Sequence, residues 1–89
     1  MKINKLITIE GRVQHVGFRY SARNAAQKLS ITGEACNLSN GNVYIEAEGE
    51  EENVYQFIAW CRQGPPLAKV IDVKIQEGKL MNYPGFAIR

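Results

Sequence analysis

Apolar and polar residues alternate from Leu6 to Val13. Ile7, Ile9, Gly11 and Val13 fall on one side, and Leu6, Thr8, Glu10 and Arg12 on the other. A period of two predicts a strand with one buried face. At Phe18 the period lengthens: Phe18, Ala22, Ala25, Ala26 and Leu29 recur at spacings of three and four, with Arg23, Asn24, Gln27 and Lys28 opposite. That predicts a helix near residues 19–30, with Gly33 marking its exit. Glu34 to Leu38 and Asn42 to Gly49 read as two strands around Ser39-Asn40-Gly41, because Asn-Gly favours a tight hairpin turn. In the second of these strands Val43, Ile45 and Ala47 form the buried row, and Tyr44, Glu46 and Glu48 lie on the open face. Glu50-Glu51-Glu52 opens a second helix, where carboxylates suit the positive dipole end. Its stripe is Val54, Phe57, Ile58 and Cys61, and Gly64-Pro65-Pro66 stops it. A fourth strand is expected near Lys69 to Ile75 with Ile71, Val73 and Ile75 inward, and the tail from Tyr83 to Ile88 supplies a last short strand or edge.

The order β-α-β-β-α-β predicts an α+β fold: a ferredoxin-like sandwich of an antiparallel sheet with two helices on one face. With 89 residues and no linker or repeat, a single domain over 1–89 is expected. A net charge of +2, scattered along the chain, implies neither nucleic acid nor membrane as partner. No apolar run suits a signal peptide or a membrane span, so a cytoplasmic protein is expected; a monomer is the default. Cys36 and Cys61 fit no metal-ligand spacing. Strand parity puts Cys36 on the open sheet face and the helical stripe puts Cys61 in the core, which predicts two free thiols.

Chemistry concentrates in Gly11-Arg12-Val13-Gln14-His15-Val16-Gly17-Phe18-Arg19. This stretch joins the end of a strand to the start of a helix. Such a turn gathers unpaired N–H groups and the positive end of a helix dipole, which suits an anion. An arginine there adds a planar fork of donors matched to phosphate or carboxylate.

The same nine residues resemble the acylphosphatase signature G-x-V-Q-G-V-x-F-R. Gly33-Glu34-Ala35-Cys36-Asn37-Leu38-Ser39-Asn40-Gly41-Asn42-Val43 resembles that family's second motif, G-x-V-x-N-x-x-D-G-x-V. The resemblance implies hydrolysis of acyl phosphates to carboxylate and inorganic phosphate, with no cofactor and no metal. It also implies that Arg19 and the loop amides of His15, Val16, Gly17 and Phe18 bind the phosphate and that Asn37 positions the attacking water. An acyl phosphate is already activated, so positioning and charge stabilisation can suffice for catalysis. His15 departs from the signature, standing where the family has glycine. If that position needs positive φ, histidine carries a cost there.

Two other functional classes compete with this one. An RNA-recognition module shares the element order but needs aromatic and basic residues on its open sheet face. The open face here carries Thr8, Glu10, Tyr44, Glu46 and Glu48, whose carboxylates would repel phosphate. A metal-carrying module would need paired cysteines in one loop, and there are none. The alternative that stays open is a non-catalytic acylphosphatase-like domain that binds an anion without turning it over.

Overall fold

The computed structural model describes residues 1–89. The chain runs β1 (Lys2–Arg12), α1 (Phe18–Lys28), β2 (Thr32–Asn37), β3 (Val43–Glu50), α2 (Glu51–Gln63), β4 (Lys69–Glu77) and β5 (Phe86–Ile88). The strands form one sheet in the order β4-β1-β3-β2-β5. The first four strands pair antiparallel, and β5 joins β2 in parallel at the edge. The ferredoxin-like sandwich is therefore present, with a parallel fifth strand that makes the sheet mixed.

The two central strands supply the buried rows. Ile7 and Ile9 from β1, Val13 just past its end, and Val43, Ile45 and Ala47 from β3 are all buried, as their alternation required. Against them α2 lays Val54, Phe57, Ile58 and Cys61, and α1 lays Phe18, Ala22 and Ala26. Trp60 bridges the helices, with its ring 5.4 Å from that of Phe18 and 6.1 Å from that of Phe57. Each large side chain buried in this way contributes on the order of 2 kcal/mol. Phe18 matters doubly, because it anchors the first turn of α1 to the core directly beside the loop.

Three expectations are corrected. Gly33 does not end α1. The helix stops at Lys28, and Ser30 makes the reversal with φ 56. Gly33 lies inside β2, where a Cβ would come within 1.8 Å of the Glu46 carbonyl oxygen on β3; its smallness allows the close approach of two strands. Ile71 does not face inward. Glu10 pairs with Asp72 and Gly11 with Val70, so Ile71 is the extra residue of a β-bulge. The bulge reverses the parity of β4: Val70 and Val73 face the helices, and Ile71 is 75% exposed. Ile75, opposite Ile7, shares the inward side but is also exposed at this edge strand.

The third correction concerns the open face. β4 and β5 lie on opposite edges, so the chain between them must cross β1, β3 and β2. Residues 78–85 make this crossing over the face away from the helices. The Gly78 N–H donates to the Asn4 main-chain oxygen at 3.0 Å. The N–H groups of Met81 and Asn82 donate to the Glu48 carboxylate at 2.7 and 2.8 Å. Glu48, expected to be open to solvent, is consequently fully buried.

Candidate active site

The loop between β1 and α1 is shaped by two left-handed residues. His15 has φ 62 and Gly17 has φ 76. Gly17 is also the N-cap of α1, with no side chain bonded across the helix end. A Cβ at Gly17 would meet nothing within 4 Å, so glycine is favoured there by backbone conformation and not by crowding. His15 takes the left-handed region despite its side chain, at a cost of about 1 kcal/mol. Left-handed residues in a turn direct successive N–H groups to one side, which makes an anion-binding concavity. From His15 to Tyr20 no backbone N–H finds a partner within the chain; the first helical bond is from Ser21 to the Gly17 oxygen at 3.0 Å.

The residues that carry these donors, Val16 excepted, border a cavity of about 120 Å³, lined by Val13, His15, Gly17, Phe18, Arg19, Tyr20 and Asn37. The lining contains no carboxylate, and Arg19 is its permanent cation. Five of the six residues singled out from the sequence therefore surround one space. The sixth, Val16, turns its side chain onto the core, which leaves its N–H as its only means of reaching a ligand there.

Each side chain is held by an identifiable contact. Arg19 sits in the first turn of α1, and its Nη1 donates to the main-chain oxygen of Arg89 at 2.6 Å. Arg89 is fixed in turn: its N–H donates to the Ala35 oxygen at 2.8 Å and its Nε to Glu34 Oε1 at 2.8 Å. A guanidinium has five N–H donors, so this single tether leaves most of the fork available. Asn37 ends β2 on the same parity as the buried Ala35, which turns it to the helix side. Gln14 ties the two halves together, its Nε2 donating to the Leu38 and Asn42 oxygens at 2.7 and 2.9 Å. The loop of β1 and the hairpin that carries Asn37 are thereby held at a fixed separation.

Sequence reasoning assigned no role to Gln14, Tyr20, Glu34 or Arg89. Gln14 was visible inside the first motif, and its side chain proves to bond the backbone of the second. Tyr20 comes directly after Arg19 and reaches the cavity because it opens the exposed side of α1. Arg89 gave no signal, because its contact with Arg19 spans 70 residues and depends on where β5 pairs. Elsewhere in the fold no group of three or more His, Cys, Asp or Glu side chains is placed to hold a metal ion. Cys36 and Cys61 are free thiols, and burial pushes the Cys61 thiol far above its ordinary pKa.

Comparison with known proteins gives the same picture. The family profile described as Acylphosphatase matches residues 5–88. An acylphosphatase of Archaeoglobus fulgidus is 43% identical over 82 residues, covering 92% of each chain. One of Bacillus licheniformis is 47% identical over 73 residues, covering 82% of this chain and 81% of its own. The crystal structure of acylphosphatase from Bacillus subtilis superposes with a TM-score of 0.95 at 36% identity, covering 100% of this chain and 99% of that one. By its profile, its relatives and its fold, the chain belongs to the acylphosphatase family of hydrolases.

Proposed function

We propose that the loop from His15 to Arg19, together with Asn37, is where this acylphosphatase hydrolyses the carboxyl–phosphate bond of acyl phosphates. The observation that carries the assignment is one small cavity lined by a tethered arginine, an asparagine and residues whose N–H groups have no partner in the chain. The N–H groups of His15 to Phe18 and the Arg19 fork receive the phosphoryl oxygens. Charge on these oxygens grows or redistributes in the transition state, and preorganised donors stabilise it without reorganising. Asn37 holds a water in line with the bond to be broken. The water oxygen bonds to phosphorus as the bond from phosphorus to the acyl oxygen breaks, and the electron pair leaves with the carboxylate. A carboxylate needs no protonation to depart, so no general acid is required. The water proton passes to a phosphoryl oxygen, giving carboxylate and inorganic phosphate.

The proposed reaction draws on residues of one chain within the 1–89 domain and calls for no second copy. Two free thiols suit the reducing conditions of a cytoplasm. No helix is long and apolar enough to cross a membrane.

Benzoyl phosphate tests the proposal, since its hydrolysis lowers ultraviolet absorbance. The wild-type protein is expected to accelerate the loss, and Arg19→Ala and Asn37→Ala to abolish the acceleration. Phosphate binding with hydrolysis at the rate of the buffer blank would instead establish a non-catalytic anion-binding domain.

A further inference from the structure

Glu48 is fully buried on the sheet face away from the helices, and no step of the hydrolysis uses it. Its carboxylate accepts the N–H of Met81 at 2.7 Å, the N–H of Asn82 at 2.8 Å and the Asn4 side-chain amide at 3.0 Å. Asn4, 2% exposed, also donates to Glu46 Oε2 at 3.0 Å, so the pair is locked on the β1 side as well. The Gly78 N–H to the Asn4 oxygen and the Gly33 N–H to the Gly85 oxygen fasten the two ends of the crossing segment; the bonds to Glu48, with a hydrogen bond between the Tyr83 side chain and Glu46, fasten its middle. The segment carries no strand or helix of its own between Glu77 and Phe86.

Beyond the crossing the chain enters β5. Gly33, Glu34 and Ala35 of β2 pair with Phe86, Ala87 and Ile88, and Arg89 then presents its main-chain oxygen to Arg19. This strand of three residues is held by its pairing with β2, by the Gly33 N–H to the Gly85 oxygen at 2.9 Å and the Arg89 N–H to the Ala35 oxygen at 2.8 Å, by Phe86, whose ring lies 6.0 Å from that of Phe57, and by the segment before it. The path from Glu48 to Arg19 is thus continuous through backbone: carboxylate, residues 81–82, β5, Arg89, guanidinium.

We propose that Glu48 is a positioning residue for the phosphate site: its buried carboxylate clasps the crossing segment and so sets where β5 delivers the Arg89 oxygen that orients Arg19. The inference rests on Arg19 being the phosphate-binding arginine. Glu48→Gln keeps the shape of the side chain but replaces one acceptor oxygen with a donor, which opposes the N–H groups it now receives. The geometry of Arg19 then loosens while the loop amides remain in place.

The test measures inorganic phosphate affinity and the kcat and KM for benzoyl phosphate, at a temperature where circular dichroism shows each variant folded. Glu48→Gln is expected to bind phosphate about tenfold more weakly, the worth of one charge-assisted hydrogen bond. A second pair of variants examines the route. With Arg89 deleted, adding Glu48→Gln should change phosphate affinity less than twofold, because the tether it acts through is already gone. Multiplying losses in that background, or wild-type affinity in folded Glu48→Gln, would overturn the inference. If Glu48→Gln does not fold, Met81→Pro removes one N–H from the clasp at an exposed position and must weaken phosphate in the same sense. Arg19→Ala is the reference. If it loses phosphate affinity and the clasp variants do not, only this inference fails; if Arg19→Ala itself keeps full affinity, the assignment of the site fails.

Discussion

The molecule contains two runs of backbone N–H groups that bond no other backbone group, and they differ in what fills them. At residues 81–82 the donors are taken by Glu48, a carboxylate of the chain itself. At residues 15–20 nothing in the chain accepts, and Arg19 stands beside them. Both lie in segments outside regular strands and both use a left-handed residue, Asn82 with φ 56 in one and Gly17 with φ 76 in the other. The first is a fastening and the second, in the function proposed above, a receptacle. A cradle of amides becomes a binding site when the fold declines to occupy it.

The largest expected effect comes from emptying the second cradle of its cation. Arg19→Ala should lower kcat/KM for benzoyl phosphate by roughly 10³-fold or more, in the range of arginines that stabilise phosphoryl transfer. Stopped-flow or steady-state absorbance reads this directly, and a loss under tenfold would mean that the two cradles differ less than their contacts indicate.

Filling that cradle should stabilise the fold. Inorganic phosphate at 100 times its dissociation constant adds about 2.7 kcal/mol by mass action, readable as a rise in unfolding midpoint. Sulfate should do the same more weakly, and neither should act on Arg19→Ala.

Emptying the first cradle of its carboxylate costs stability instead. Burial alone would raise the Glu48 pKa, but the Met81 N–H, the Asn4 amide and the further backbone N–H groups together hold it below the ordinary glutamate value. A depressed folded pKa makes the sign definite. The stabilisation is fully present above the unfolded glutamate pKa, about 4.3, and is lost as pH falls through the lower folded value. Glu48→Gln should therefore lose about 2 kcal/mol at neutral pH and show a shallower decline of stability below pH ~4. Urea titrations at two pH values measure it; parallel acid limbs in the two proteins would show that Glu48 does not titrate with folding.

The smallest effect belongs to His15. His15→Gly relieves left-handed strain and should raise stability by up to ~1 kcal/mol. If activity rises with it, the imidazole obstructs the receptacle; if activity falls, the imidazole is part of it.

The path from sequence to site was readable where contacts are local. The alternation of Ile7, Ile9 and Val13, the stripe from Phe18 to Ala26 and the Asn-Gly turn specify their own geometry, so the loop and Asn37 could be placed from spacing and motif. In the C-terminal twenty residues the two strands were legible, but neither the facing of β4 nor the crossing between them was. The bulge at Ile71 is invisible in an apolar alternation that looks regular, because it arises from pairing with β1. The burial of Glu48 depends on β5 pairing at the far edge, which forces the crossing over an otherwise open face. Alternation shows which face a residue occupies; it does not show what later passes over that face.

The bulge has a consequence for how the protein keeps to itself. β4 is the long edge of the sheet, and a straight edge invites another chain to add a strand. Here the pairing surface breaks step at Ile71, and the Val73 N–H is occupied by its neighbour, accepted by Asp72 Oδ1 at 2.9 Å. An incoming strand would have to copy the irregularity and displace that carboxylate. The extra residue that spoils the pattern of β4 also spoils it as a template for aggregation.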